Sequence, residues 1–213
     1  MRHLSRITAA LVLSAVALGG GAWNATLMQE QAAKRSTGVR QQVSALLELS
    51  RQQSGVPGLE RARRVNAFFN QRVDWRDDQE VWGKVDHWAS PMEMFDKGAG
   101  DCEDLAMGKY FTLLGLGLPP ASLRLVYVKA QFQGRTQAHM VLAWYPEGKA
   151  EPFILDNINP EMLPASQRGD LQPVFSFNAE GLWQGVGPQG AGNPLARLGV
   201  WRDALERARA EGF

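Results

Sequence analysis

The sequence predicts an α+β fold in which one helix, carrying the only cysteine of the chain at its start, packs on an antiparallel sheet between N-terminal and C-terminal helices. Three observations lead there. Apolar residues at helical spacing dominate up to Leu114, strand-like runs separated by turn residues follow from Leu123 to Phe177, and a helical pattern returns after Asn193. The 213 residues are 45% apolar and 21% charged with a net charge of +1, which suits one full-sized core and a single domain. The charges are balanced and form no long basic run, so the clustered Lys and Arg that phosphate binding needs are missing and nucleic acid is not an expected partner.

Arg2 and Arg6 precede an apolar run from Ile7 to Leu18 and the small residues Gly19 to Ala22, the pattern of a secretory signal peptide over residues 1–22. The alternative is an uncleaved anchor, but the apolar run falls short of the ~20 residues a spanning helix needs. The expected mature chain therefore begins at Trp23, is exported to the periplasm, and forms one domain over 23–213 with its core at about 57–183.

Within that domain, Val43, Leu46, Leu47 and Leu49 give a helix between Gln29 and Gln53, stopped by Ser54-Gly55. A second helix follows Pro57 with Leu59, Ala62, Val65, Phe68 and Phe69. The Trp- and Asp-rich stretch Asp74 to Trp88 reads as a loop long enough to face a substrate. Ser90-Pro91-Met92-Glu93 has a capping serine, a proline at the first helical position and a glutamate three residues after the cap, so it opens a short helix that Lys97-Gly98-Ala99-Gly100 breaks. Asp101 then caps a helix with an apolar stripe of Ala106, Tyr110, Leu113 and Leu114. Strands are expected at Leu123 to Phe132, Ala138 to Tyr145, Phe153 to Asp156 and Val174 to Phe177. Gly185 to Asn193 is a Gly-rich connection without the context of a phosphate-binding loop. Asn193-Pro194 starts a last amphipathic helix, 194–210, with Leu198, Trp201, Leu205 and Ala208.

An exported chain with one cysteine has a thiol that no disulfide claims. Burial as an inert small hydrophobe is the plain explanation for such a residue. Cys102, however, falls in the first turn of its helix, where free N–H groups and the helix dipole favour a thiolate. A base must come from His87 or His139, the two histidines beyond the signal segment. A hairpin with Glu147 and Gly148 as its two tip residues sets Asp156 directly opposite His139, so the carboxylate can hold one ring nitrogen and leave the other for the thiol. Taken singly, His139 is equally a half-buried strand histidine and Asp156 an Asx-turn residue. Asp101, Glu103 and Asp104 crowd the same first turn; they serve as caps, or as part of a Ca²⁺ site that relieves their repulsion of the thiolate. Trp88 is a further candidate, either as an oxyanion donor through its indole N–H or as a core or groove residue.

Gly100-Asp101-Cys102-Glu103-Asp104, His139-Met140-Val141-Leu142 and Leu155-Asp156-Asn157 together resemble the bacterial transglutaminase-like cysteine proteinases. Trp88 to Glu93 and Arg168-Gly169-Asp170-Leu171 also fit, and the resemblance spans about Arg64 to Trp183. It implies a papain/transglutaminase-like core, a triad of Cys102, His139 and Asp156, and Ca²⁺ held near the nucleophile by Asp101, Glu103 and Asp104. It further implies a large surface adhesin as substrate, cut near its N-terminus to control biofilm attachment, and an inner-membrane cyclic di-GMP receptor as inhibitory partner. Acyl transfer to an amine on the same scaffold, and a non-catalytic peptide-binding module, are the competing readings.

Overall fold

A change from helices to strands near residue 120, expected from the patterning, divides the structure, a computed structural model that describes residues 23–213. The expected signal segment, residues 1–22, lies outside the described residues. Among them no helix is long and apolar enough to cross a membrane. The helices are α1 (Ala25–Ala33), α2 (Thr37–Arg51), α3 (Gly58–Arg72), α4 (Asp78–Trp82), α5 (Pro91–Lys97), α6 (Cys102–Gly115), α7 (Pro194–Arg197) and α8 (Gly199–Ala210). The strands are β1 (Asp74–Trp75), β2 (Ala99–Gly100), β3 (Leu123–Phe132), β4 (Arg135–Trp144), β5 (Phe153–Leu155), β6 (Leu163–Pro164), β7 (Leu171–Phe177), β8 (Leu182–Gln184) and β9 (Gly190–Gly192).

Local chemistry explains most boundaries, including two the periodicity misses. The single helix expected over Gln29 to Gln53 is two, because Ser36 turns outward and its hydroxyl accepts from the Val39 N–H to cap α2. The last helix is likewise split at Leu198; Asn193 caps α7, and α8 restarts one residue later. The capping box at Ser90 and Glu93 is present in full, and Gly98 ends α5 at φ 64°, a left-handed conformation that glycine adopts without a Cβ penalty. The Trp- and Asp-rich stretch is less irregular than expected. It holds β1, which pairs in parallel with β2, and α4, capped by Asp77.

Seven strands form one antiparallel sheet in the order β6-β5-β4-β3-β7-β8-β9. Alternate residues of β3 and β4 face opposite sides: Leu123, Leu125, Met140 and Leu142 join the main core, whereas Val126, Val128, Val141 and Ala143 form a second, smaller cluster. α6 lies against β3 and β4 and is buried nearly all round, from Asp104 to Leu113, a wider apolar surface than the expected stripe. α3, α5 and α8 close its other sides. α3 approaches so closely that a Cβ at Gly108 would lie 2.5 Å from the Phe69 ring, and Trp201 of α8 stacks on Phe111.

The β4–β5 register differs from the expected one. Leu142 pairs with Leu155 and Trp144 with Phe153, so the connection is Tyr145 to Pro152 and not a two-residue tip at Glu147 and Gly148. Asp156 therefore follows the end of β5 and is not directly opposite His139. The displacement is by two positions, which preserves the alternation of side chains, and the two residues still meet.

Candidate active site

Cys102 is the first residue of α6, and a cleft of about 420 Å³ opens beside it, lined by Trp88, Asp101, Glu103, Tyr127 and His139 among others. Its thiol donates to Glu103 Oε2 at 2.9 Å. Burial pushes the Cys102 thiol up, the charges of Glu103 and Asp101 push it further, and the Met140 backbone N–H opposes them.

His139 and Asp156 are both buried, with His139 Nε2 2.7 Å from Asp156 Oδ1. Donation from Nε2–H to the carboxylate leaves Nδ1 as the nitrogen available to a thiol. Asp156 also accepts from the Ile158 N–H at 3.0 Å and from Arg168 Nη2 at 2.6 Å. Burial alone would raise this carboxyl, but the hydrogen bonds and charges of His139 and Arg168 outweigh it and hold Asp156 well below the usual carboxylate range. From α3, Asn70 donates to the Asp156 backbone oxygen at 2.7 Å and Asn66 to that of Pro160 at 2.9 Å, so this helix fixes the loop that carries Asp156. Sequence periodicity marks Asn66 and Asn70 only as polar helix positions.

His87 is elsewhere. Its ring packs on Trp82 with centroids 4.4 Å apart, Nδ1 lies 3.3 Å from Lys84 Nζ, and it does not line the cleft. The Trp88 indole donates to Asp86 Oδ1 at 3.0 Å, so that N–H is already engaged and the oxyanion role considered for it has no support here.

The acidic cluster is larger than the first turn of α6 suggested. Carboxylate oxygens of Asp78, Asp101 and Asp104 lie within 4.8 Å of one another, as do those of Asp78, Asp86 and Glu103. Asp101 holds the cap position, but its side chain makes no capping bond, contrary to expectation. Asp104 Oδ1 accepts from the Ala89 N–H at 2.6 Å, and Asp78 Oδ2 accepts from the His87 N–H. The remaining Asp78 Oδ1, Asp101 Oδ1 and Asp104 Oδ2 are buried and have no hydrogen-bond partner among the described residues. Burial first, and mutual repulsion second, push Asp101 up to about 10 and Asp104 well above its usual range. Asp78 rises to about 6, mainly through burial. Orphaned hard oxygen atoms in a crowded carboxyl cluster, whose acids resist ionising without a counter-charge, suit a hard cation.

Residues 37–170 match the family described as bacterial transglutaminase-like cysteine proteinase BTLCP. The chain belongs to that family. The matched segment starts earlier and ends earlier than the stretch that carried the resemblance, and it contains Cys102, His139, Asp156 and the whole acidic cluster. Solved structures similar to this cysteine proteinase include three of one protein. Legionella pneumophila LapG is 37% identical, with a TM-score of 0.75, over 88% of this chain and 99% of that one. Its EGTA-treated form gives a TM-score of 0.78 at 37% identity, with the same coverage. Its calcium-bound form gives 0.73 at 38% identity, over 86% of this chain and 98% of that one. No curated protein matches by sequence.

One further ionisable group lies in the core of this proteinase. Lys109 of α6 is fully buried, and burial pulls its pKa down to about 7 against the opposing charge of Asp156. An unfolded lysine keeps its proton to about 10.4, so between about pH 7 and 10 the unfolded chain binds more protons and this group makes stability rise with pH. Lys109→Met should remove that contribution, at most about 1.4 kcal/mol per pH unit. In parallel melts from pH 7 to 10, the stability advantage of the variant should shrink as pH rises; a constant difference would contradict the assignment.

Proposed function

We propose that this proteinase is a calcium-dependent endopeptidase of the periplasm, with Cys102 as nucleophile, His139 as base and Asp156 as the residue that orients the base. The observation that carries the reading is the buried 2.7 Å contact of His139 Nε2 with Asp156 Oδ1 at a cleft that His139 shares with Cys102. His139 Nδ1 takes the thiol proton as sulfur attacks the peptide carbonyl carbon. The carbonyl oxygen gains the negative charge and accepts from the free backbone N–H groups at the start of α6. The imidazolium then gives its proton to the departing amine. Water, activated by the same nitrogen, releases the acyl group and restores the thiol.

Asp78, Asp86, Asp101, Glu103 and Asp104 would hold Ca²⁺, which supplies the positive charge that lets these carboxylates stay ionised beside a thiolate. The calcium-bound and EGTA-treated LapG structures support calcium dependence by similarity.

The substrate in this reading is a large cell-surface adhesin, cut near its N-terminus at a small-residue site so that attachment is lost. An inner-membrane cyclic di-GMP receptor would restrain the enzyme. Exposed Trp75 and Val85, at 59% and 94% of full accessibility, stand at the cleft and suit the capture of an extended polypeptide. The test is digestion of adhesin N-terminal fragments, with product masses read with and without a primary amine. A single cut giving free carboxyl products is expected. Amine-adduct products would identify an acyl transferase, and intact fragments alongside cleavage of unrelated peptides would remove the adhesin as substrate.

A further inference from the structure

Asp156 has two carboxylate oxygens, and His139 uses one of them. Oδ1 accepts from His139 Nε2 and from the Ile158 N–H, while Oδ2 accepts from Arg168 Nη2 at 2.6 Å. Donors on both oxygens stop the carboxylate rotating about its terminal bond, and a fixed carboxylate plane fixes the imidazole plane.

Arg168 is itself held. Its Nε and Nη2 fork onto Asp170 at 2.9 and 2.7 Å, a bidentate pair whose planar geometry lysine cannot reproduce. A short 3-10 turn, Ala165–Gln167, delivers it, and the Gln131 N–H of β3 anchors the Asp170 carbonyl at 2.8 Å. The Arg168 side chain is 2% exposed and that of Asp170 is 38% exposed, so the outer carboxylate is partly solvated and the inner one is not. Arg168 is absent from the lining of the catalytic cleft.

We propose that Arg168 is a positioning residue for peptide cleavage: by holding Asp156 Oδ2 it presents Oδ1, and through it the His139 imidazole, in the orientation that faces Cys102. The proposal rests on the assignment of Cys102, His139 and Asp156 as the triad. A stability-only ion pair would change melting and leave turnover per folded molecule alone. A positioning residue that does not touch the substrate lowers kcat and leaves KM in place, and small displacements of such groups cost about 100-fold.

The experiment measures kcat and KM for the adhesin fragment with the Ca²⁺-saturated full-length protein and its variants, together with the downfield proton resonance of His139 Nε2–H, assigned by its loss in His139→Gln. Arg168→Met should lose about 100-fold in kcat with KM unchanged, and the resonance should broaden or move upfield. Arg168→Lys should recover part of both. Arg168→Met leaves two carboxylates facing each other and is at risk of misfolding, so Arg168→Met/Asp170→Asn, which removes the outer pair as a unit, is measured with it and should show the same kcat loss. Folded Met variants with kcat within a few-fold of wild type would overturn the proposal, as would a loss confined to KM or an unmoved His139 resonance. A Cys102→Ala protein that still cleaves would instead overturn the triad on which the proposal stands.

Discussion

Cys102→Ala should abolish peptide cleavage, and His139→Ala should reduce kcat by about 10⁴-fold or more without unfolding the protein. Asp156→Asn should lose about as much as an orienting carboxylate does elsewhere, about 10⁴-fold. That substitution also removes a partner of buried Arg168, and breaking a buried ion pair costs about 3–5 kcal/mol, so its melting temperature should fall while that of Cys102→Ala holds. Because the three side chains act as a unit, the double variant Cys102→Ala/His139→Ala should be no worse than Cys102→Ala alone. His87→Ala should be mild, since its ring is engaged with Trp82 and Lys84 away from the cleft. Steady-state rates of fragment cleavage, taken with melting curves, decide the matter. Loss of activity in His87→Ala with retention in His139→Ala would reverse the base assignment.

Stripping divalent ions should stop cleavage and lower the melting temperature, and Ca²⁺ alone should restore both. An ion at 100 times its dissociation constant stabilises the folded state by about 2.7 kcal/mol, roughly 5–10 °C for a chain of this size. Asp78→Asn is the most telling variant, because Asp78 lies on a different helix from Cys102 and has no part in capping α6. It should keep the fold and lose both Ca²⁺ binding heat and activity, as should Asp101→Asn. Calorimetric titration of chelator-treated protein, run beside the cleavage assay, reads both effects. Full activity in stripped protein, with no heat on adding Ca²⁺, would leave the cluster as buried acids only.

The parts of this protein that depend on neighbouring residues were legible in the sequence. β3 has the predicted limits Leu123 to Phe132, the Ser90 capping box is present, and α6 starts at Cys102 as its preceding glycines and Asp101 imply. What depends on distant contacts was not. The β4–β5 register follows from a connection whose length no turn residue announces, so Asp156 stands two positions from its expected place along the pair. Asp78 and Asp86 join Asp101 and Glu103 only because α4 and the segment after it fold over the start of α6; in the sequence they are ordinary members of an acidic, tryptophan-rich stretch. Asp101 occupies a cap position, yet its carboxylate turns to the cluster, which outcompetes the bond that position normally makes. β9 lies in a run of glycines, where alternation of side chains gives no signal.

The close seating of α6, with Gly108 under Phe69 and Phe111 under Trp201, bears on how a thiol without a disulfide partner is reached. The openings of a helix body held by a sheet and three helices are those of the whole domain, the rarest fluctuations a small protein makes, so the half-buried Cys102 at its open end is reached through the cleft and not through unfolding of α6. Fraying, the usual weakness of a helix end, is restrained here because Leu105 to Leu113 have nowhere to move without disrupting the sheet and three helices together. The sulfur is therefore met through the cleft, whose walls select what reaches it.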